Sequence, residues 1–349
     1  MTLHLFNPSH DEALAANYPY YYPSGIARRL QTELGALPML WAAEGDAVLV
    51  DDAALAQTES PAHCFQGVRC VTARQTNAGF WSAVDRIEPW GWDLLVRHRL
   101  RKLGAPEELL PDDAQLARIR QLSSRETTAD VLPALCRRLH CAGIEATGAS
   151  RIVRSWDEAE AAFAEWPAAF VKSLWSCSGR GVFRVNSVPT ASDAGRLRRL
   201  LREQGGAEVQ KACASLIDFA MEFEIDDAGR VAYLGLSTFA TNASGGYGGN
   251  VVAPQAHIEK LVSDRLGRAD WRDPLVRACT AEFSSRFEGR YTGPFGVDMM
   301  VAQTKDGPAV FPCVEVNLRR TMGHVALCVE AERLLVGGIN IPGCSFFHP

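Results

Sequence analysis

The sequence predicts an α/β domain at the N-terminus, followed by an α+β fold over the rest of the chain. Three observations carry this prediction: strands alternate with helices in the first hundred residues, long strand patterns joined by short turns follow residue 209, and a hairpin pattern lies at 297–317. Alternating strands and helices indicate a parallel sheet, whereas strands joined by short turns indicate antiparallel pairing.

The composition is that of a globular protein with two or three domains. The chain has 349 residues, of which 47% are hydrophobic and 22% are charged. Its net charge of −5 argues against a protein built to coat nucleic acid, so we expect no nucleic-acid partner. No apolar stretch approaches the ~20 residues of a membrane span and no leader pattern opens the chain, so we expect no membrane partner and a cytoplasmic location.

Cysteine and histidine usage argues against a zinc site. The ten cysteines are scattered without a CxxC pair, and the eight histidines show no HxxxH spacing. We therefore interpret the cysteines as reduced thiols that serve as small apolar side chains rather than as disulfide or zinc ligands.

The N-terminal elements place polar residues at a predicted sheet edge. Residues 2–6 alternate like a strand, break at Asn7-Pro8 and lead into a helix, and a second strand fits 47–52. Ligands of parallel sheets usually bind beyond the carboxyl ends of the strands. We therefore take Asn7, His10 and Asp11 as candidate substrate contacts; a polar turn that caps the helix is the alternative.

The remaining elements follow from periodicity and capping signals. Pro133 should delay or bend the helix that begins near 126, and Ser155 should cap the next helix. We predict helices near 24–35, 92–103, 126–144, 156–166, 271–287 and 321–335, a polar connection at 104–124, a strand at 168–175 and antiparallel strands from 209.

A glycine-rich loop follows the strand that carries Lys172. The stretch FVKSLWSCSGRGVFRV at 170–185 has serines and glycines between two strand patterns. Glycine permits backbone conformations that aim successive N–H groups at an anion, and lysine adds positive charge. The stretch is neither a Walker loop nor a Rossmann fingerprint. It predicts a phosphate-binding loop, with an ordinary hairpin turn as the alternative.

The hairpin at 297–317 predicts a metal site. If Asp306-Gly307 is the turn, Asp298 and Glu315 lie eight residues on either side of it and face each other, with Cβ atoms about 5 Å apart. Asn317 projects from the same face as Glu315 because it is two residues further along the strand. Three converging oxygen ligands suit Mg²⁺. A surface hairpin with solvated acids is the alternative.

The order of these features resembles the ATP-grasp superfamily, in which two α+β subdomains hold ATP between them. VKSLWSCSGRGV, GVDMM and EVNLRRTMG carry the resemblance, and they look like a bacterial, carboxylate–amine ligase-like branch. The resemblance covers 123–323 and implies three domains: an N-terminal α/β domain at 1–118, a small ATP-grasp subdomain at 119–208 and a large one at 209–349.

The resemblance also implies roles for particular residues. Asp298, Glu315 and Asn317 match the ligands of two Mg²⁺ ions, with Mn²⁺ as the other possible metal. Arg125 stands where the superfamily usually has a lysine, and its planar fork differs from an ammonium group. The residues expected to bind ATP are Arg125, Lys172, Ser176, Ser178, Gly179, Arg180, Gly181, Gln210, Lys211 and Asp218.

Catalytic and substrate-binding residues are expected outside the nucleotide site. Arg319 resembles the group that stabilises the transferred phosphoryl, and together with Lys172 and His10 it forms the expected catalytic set. Arg320 is expected to bind a substrate carboxylate, with a surface charge as the alternative for either arginine. TNASGGYGGN at 241–250 is typical of a lid, so Tyr247 and Asn250 are expected to contact substrate; a flexible connector is the alternative.

The implied activity is an ATP-dependent carboxylate–amine or carboxylate–thiol ligase. It would form an acyl phosphate and release ADP, with small molecules or short peptides as substrates. A phosphotransferase and a non-catalytic nucleotide sensor are the rival functions, and a homodimer is left open.

Overall fold

The computed structural model describes residues 1–52, 67–176, 181–241, 247–331 and 346–347. These form two units. Unit 1 contains the described residues of Met1–Arg120 and His324–Phe346, and unit 2 contains those of Gln121–Gly323 and Phe347–Pro349. In the described part of the chain, no helix has the length and apolar character needed to cross a membrane.

Unit 1 is built on a parallel sheet, as the strand and helix alternation predicts. The four strands have the order β3-β2-β1-β4, and all three pairings are parallel. Apolar residues such as Leu3, Leu49 and Ile87 bury the sheet against helices. The elements are β1 Thr2–Leu5, α1 His10–Ala16, α2 Gly25–Leu34, β2 Ala47–Leu49, β3 Arg69–Val71, α3 Ala78–Trp81, β4 Arg86–Pro89 and α4 Leu94–Lys102, with 3₁₀ turns at Leu37–Leu40, Ala73–Gln75 and Glu107–Leu109.

The predicted connection at 104–124 is wrong for its second half, which forms helix α5 at Asp113–Leu122. The Gln115 N–H donates to Asp112 Oδ1 at 2.6 Å, and the Asp112 N–H donates to Gln115 Oε1 at 2.7 Å. This reciprocal cap satisfies donors at the start of the helix. Leu116 and Ile119 are buried at helical spacing. The two prolines that precede the helix, Pro106 and Pro111, favoured the prediction of a connection instead.

Unit 2 begins with the long helix α6 at Arg125–Cys141, which Ser124 caps by accepting from the Glu126 N–H at 3.3 Å. Pro133 lies inside this helix, so the proline did not delay the helix start. A four-stranded antiparallel sheet follows, with the order β5-β8-β6-β7. Its elements are β5 Ser150–Val153, α7 Trp156–Glu165, β6 Ala168–Ser173, β7 Val182–Asn186, α8 Ala191–Gln204 and β8 Ala207–Lys211.

The second sheet of unit 2 has two chemically different faces. Phe219, Met221 and Phe223 alternate along β9 into the largest apolar core of the described chain, so Asp218 and Glu222 belong to the opposite face. The six strands have the order β13-β12-β9-β10-β11-β14. The elements are β9 Ala214–Ile225, β10 Val231–Thr241, β11 Tyr247–Val251, α9 Gln255–Leu266, α10 Arg272–Phe287, β12 Gly293–Thr304 and β13 Gly307–Asn317. Helix α11 at Met322–Ala331 and strand β14 at Phe346–Phe347 each include residues of both units.

The hairpin of β12 and β13 confirms the predicted carboxylate pairing but corrects its turn. Thr304 pairs with Gly307, so the two turn residues are Lys305 and Asp306 rather than Asp306 and Gly307. An irregularity between Asp298 and Met300 then shifts the register, and Asp298 pairs with Glu315 as predicted. A bulge of this kind places extra residues in one strand and re-aims the side chains beyond it.

Candidate active site

Two carboxylates and one amide share the polar face of the second sheet. Asp298 pairs with Glu315. Asn317, the second residue after Glu315 on the same strand, pairs with Gly296 and lies on the same face as Glu315. The Asn317 side chain donates to Asp298 Oδ2 at 3.1 Å. The hairpin register therefore brings the three predicted metal ligands together.

The electrostatics of this group favour a cation. Burial, together with repulsion from the Glu315 and Glu222 carboxylates, raises the pKa of Asp298 to about 7. A proton on Asp298 relieves the crowding of negative charge, and a divalent cation would relieve it too. Two carboxylates and an amide oxygen are hard ligands that fit Mg²⁺. No group of three or more His, Cys, Asp or Glu residues placed for a metal occurs in the described ranges.

Lys172 reaches from β6 to the strand that carries Glu315. It is 6% exposed, and its Nζ donates to Gln210 Oε1 at 2.8 Å and to the Val314 carbonyl at 3.2 Å. The second contact places the ammonium beside the backbone of the carboxylate strand. Gln210 is held by the same carbonyl, since its Nε2 donates to Val314 O at 3.2 Å.

Arg125 makes the direct link between the glycine loop and the carboxylates. Its NH1 donates to the Ser173 carbonyl at 2.6 Å and to Ser176 Oγ at 2.7 Å, and its NH2 donates to Glu315 Oε1 at 2.7 Å. The side chain is 5% exposed, whereas that of Glu315 is 28% exposed. The resemblance predicts a nucleotide ligand at this position, and the structure adds the ion pair with Glu315.

Glu208, which no sequence motif singled out, is fully buried between these two cations. Glu208 Oε2 lies 3.7 Å from Lys172 Nζ and 3.7 Å from Arg125 Nε, while Oε1 accepts from Ser150 Oγ at 2.6 Å and Gln210 Nε2 at 3.2 Å. The signal was present in AEVQK, where Glu208 and Gln210 alternate onto one face of a strand. A lone acid in a short strand pattern gave no reason to choose it.

The segment after Asn317 carries both candidate arginines. Arg319 NH2 donates to Asn317 Oδ1 at 3.1 Å, so Arg319 contacts one of the three predicted metal ligands directly. Its NH1 donates to the Arg320 carbonyl at 3.0 Å. Arg320 is partly buried in this same segment.

Glu222 anchors this segment and was also missed. It is fully buried on β9, and it accepts from Thr321 Oγ1 at 2.8 Å and from Ser237 Oγ at 3.1 Å. A Cβ at Gly323 would lie 1.8 Å from Glu222 Oε1, and one at Gly296 would lie 2.6 Å from Oε2. Side chains at those two positions would displace Glu222, so both glycines are needed for the close approach.

The other predicted nucleotide ligands vary in what surrounds them. Gly181 has φ +71°, its carbonyl accepts from the Ser173 N–H at 3.0 Å, and it closes the base of the loop that Ser176 opens. Asp218 lies on the polar face opposite Met300 and accepts from Ser215 Oγ at 2.8 Å. Lys211 ends β8, where its N–H donates to the Ala149 carbonyl at 2.8 Å. Ser178, Gly179 and Arg180 lie outside the described residues.

Tyr247 and Asn250 contact each other on β11, where the Tyr247 hydroxyl donates to Asn250 Oδ1. Asn250 is 1% exposed and donates to the Thr238 carbonyl at 3.4 Å, whereas Tyr247 is 40% exposed. Residues 242–246 of the predicted lid at 241–250 lie outside the described residues. A substrate role for either residue stays a prediction.

The N-terminal candidates form a separate polar cluster within unit 1. His10 Nδ1 lies 2.9 Å from Asp93 Oδ2, and Asn7 Nδ2 donates to the Gly91 carbonyl at 2.8 Å and to Asp93 Oδ2 at 3.2 Å. These residues follow the carboxyl ends of β1 and β4, which are neighbours in the parallel sheet. His10 is 1% exposed, so its ring is held in one orientation. Asp11 is partly exposed at the first turn of α1.

Comparison with known proteins finds similarity in structure rather than in sequence. Neither a family model nor a curated protein matches this chain. Biotin carboxylase from Campylobacter jejuni, in a complex with β,γ-ATP, is similar over 96% of this chain and 70% of that chain, with a TM-score of 0.50 and 14% identity. D-cycloserine synthetase is similar over 96% of this chain and 99% of that one, with a TM-score of 0.47 and 13% identity.

A third similar structure is N5-carboxyaminoimidazole synthetase from Staphylococcus aureus complexed with ADP. The similarity covers 92% of this chain and 70% of the synthetase chain, with a TM-score of 0.47 and 12% identity. Identity at this level bears on the fold alone, and the biotin carboxylase match is the one that carries the inference. The chain therefore has the ATP-grasp fold that its sequence predicts.

Proposed function

We propose that this protein is an ATP-dependent ligase that joins a small-molecule carboxylate to an amine or a thiol and releases ADP. One observation carries the proposal: Asp298 and Glu315 face each other on the polar face of the second sheet, and the buried cations Lys172 and Arg125 both contact the strand that bears Glu315. Acidic metal ligands beside phosphate-binding cations are the parts that phosphoryl transfer from a nucleotide requires.

In the first step, an oxygen of the substrate carboxylate attacks the γ-phosphorus of ATP. The bond to the β-phosphate oxygen breaks, ADP leaves and an acyl phosphate forms. Lys172 holds the α- and β-phosphates, and Arg319 stabilises the charge on the transferred phosphoryl. Asp298, Glu315 and Asn317 would hold Mg²⁺, or Mn²⁺ in its place, which when bound neutralises the phosphate charge.

In the second step, the nucleophile attacks the acyl carbon and inorganic phosphate leaves with its bonding electron pair. An amine must lose a proton during this step, and we assign its acceptance to His10, whose ring Asp93 orients. Tyr247, Asn250 and Arg320 are assigned to substrate binding. No covalent bond to the enzyme is required, so positioning and charge stabilisation are the work of the protein.

The test is ADP release from ATP in the presence of pooled carboxylates, with and without pooled amines and thiols. We expect release that depends on a carboxylate, and a ligated product that depends also on the nucleophile. Phosphorylated product without any ligated species would favour a phosphotransferase instead. ATP binding without ADP release under every condition would favour a nucleotide sensor.

Glu315→Gln provides the matched variant for this assay. The amide keeps the size of the side chain but loses the charge that faces Asp298. We expect turnover to fall at least ~100-fold while nucleotide affinity falls less than about tenfold, because the lost charge acts mainly on the transferred phosphoryl. Normal turnover in this variant would contradict the metal assignment.

A further inference from the structure

Arg125 is tied to three different parts of the candidate site at once. One guanidinium nitrogen holds the Ser173 carbonyl and Ser176 Oγ, at the base of the glycine loop, and the other holds Glu315 Oε1 at 2.7 Å. Its backbone N–H is fixed as well, since it donates to the Leu174 carbonyl at 3.1 Å. The guanidinium fork therefore reaches from the loop to the carboxylate, and its NH1 group and its backbone are held on the side of the loop.

The contact with Glu315 competes with a role as metal ligand. The carboxylate oxygen that accepts from Arg125 cannot coordinate a cation through the same lone pair, and a cation at Glu315 would repel the guanidinium. Glu208 lies 3.7 Å from Arg125 Nε on the buried side of the site, so a second negative charge remains beside the arginine when Glu315 is taken away. Loss of the Glu315 contact thus leaves Arg125 paired with a buried acid.

We propose that Arg125 is the resident counter-ion of Glu315, and that a metal ion and Arg125 exclude each other at this carboxylate. The inference rests on the proposed metal role of Glu315. It assigns Arg125 a task beyond phosphate binding: it keeps affinity for a metal low until a nucleotide is present. The NH2 group that leaves Glu315 then becomes a donor for a phosphate oxygen, while NH1 stays with Ser173 and Ser176.

This exchange couples the two ligands in a definite direction. A phosphate group that draws NH2 away from Glu315 frees the carboxylate for the metal, and a metal at Glu315 frees NH2 for the phosphate. Such coupling is reciprocal, so each ligand must raise the affinity for the other by the same factor. A lysine at this position would present its three donors from one nitrogen, without the fixed fork by which Arg125 reaches the loop and the carboxylate from separate atoms.

The test measures Mn²⁺ binding to the full chain without nucleotide, by electron paramagnetic resonance of the free ion. We expect Arg125→Met to bind Mn²⁺ at least about tenfold tighter than the wild type, because the competing charge is gone. Arg154→Met is the matched control, since Arg154 is a partly exposed arginine of the same unit that pairs with Glu126. It should change the Mn²⁺ affinity less than about twofold.

Nucleotide should narrow the difference in Mn²⁺ affinity between the two proteins. With ATP present we expect the wild type to gain more Mn²⁺ affinity than Arg125→Met, because the variant has no guanidinium to transfer to a phosphate. A folded Arg125→Met protein that binds Mn²⁺ no tighter than the wild type without ATP would overturn the counter-ion role. If that variant does not melt cooperatively, Arg125→Lys decides, with an expected gain of about threefold; no gain would overturn the inference.

The outcomes separate this inference from the ligase proposal. Mn²⁺ binding that depends on ATP in the wild type, without any gain in Arg125→Met, would overturn the counter-ion role and leave the ligase proposal standing. Absence of Mn²⁺ binding in all proteins, even with ATP, would overturn both.

Discussion

At the scale of single residues, the chain places two buried acids, Glu208 and Glu222, behind the groups expected to touch ligand. Glu208 faces the two cations of the phosphate site, Arg125 and Lys172. Glu222 accepts a hydrogen bond from Thr321 and thereby fixes the segment that also carries Arg319. The alternation of Glu208 with Gln210 in a short strand pattern was too weak a signal to single out that acid. The importance of the two acids comes from partners far along the chain, as with Arg125 and Glu315, which are 190 residues apart.

Glu208→Gln should destabilise the protein by about 2–4 kcal/mol, because two buried cations lose the charge that they face. The amide keeps the size of the side chain, so packing changes little. Urea unfolding measures the effect. Glu203→Gln is the control: Glu203 is an exposed partner of Arg199 in the same sheet's helix layer, and its loss should cost less than about 0.5 kcal/mol. Equal costs for the two variants would contradict the role of Glu208.

Asp298 should make metal binding depend on pH near neutrality. Because the pKa of its carboxyl is raised to about 7, the group is protonated below that pH and the metal must displace a proton. Mn²⁺ affinity should therefore rise between pH 6 and 8 and level off above. Asp298→Asn should bind more weakly and lose most of this dependence. A wild-type affinity that is flat across the range would show that Asp298 is not a ligand.

The same raised pKa predicts the sign of the stability change in the metal-free protein. The folded state holds the proton more tightly than the unfolded chain, whose carboxyl has a pKa near 3.8. The stabilisation from this proton is complete below that value and is lost as the pH rises to about 7. Urea unfolding without metal should show the loss in the wild type and not in Asp298→Asn.

At the scale of elements, local patterns predicted most strands and helices and missed what depends on distant packing. Counting residues from the predicted turn paired Asp298 with Glu315, because strand pairing near a turn follows from sequence separation, but the strands next to the observed turn pair in a different register. The turn was misplaced by one residue, and a bulge that no local signal announced restored the pairing. Helix α5 was missed because the prolines and acids that precede it are typical of a loop, while the burial of its apolar residues depends on the rest of the fold.

The loop between β6 and β7 offers a test at this scale. Gly181 has φ +71°, and a Cβ there would lie 2.4 Å from Ser173 Oγ, so Gly181→Ala should cost about 1–3 kcal/mol and weaken ATP binding. Gly195→Ala is the matched control inside α8, where no atom lies within 4 Å of the added carbon. It should stabilise the protein by up to ~1 kcal/mol. Equal effects in chemical denaturation would contradict the role of Gly181.

At the scale of the whole molecule, the candidate residues divide between the two units. The residues proposed to bind the metal and the phosphates all belong to unit 2, whereas Asn7, His10 and Asp93 belong to unit 1. The sequence alone singled out His10 from its place after a predicted strand. It could not supply Asp93, 83 residues away, because that pairing depends on β1 and β4 lying side by side.

His10→Ala therefore tests whether unit 1 takes part in the reaction. His10 is buried beside Asp93 at the carboxyl edge of a parallel sheet, where such sheets bind ligands, and an imidazole nitrogen can accept a proton. We expect ligated product at saturating ATP to fall about 100-fold or more, as for loss of a general base. The nucleotide dissociation constant should stay within about threefold, or ~0.7 kcal/mol, because the phosphate-binding residues are untouched. Asp93→Asn should act in the same direction but less strongly, since it removes the charge that orients the ring and keeps the ring itself. Loss of ATP affinity in His10→Ala, or normal product formation by a folded variant, would assign this cluster to the stability of unit 1 rather than to the reaction.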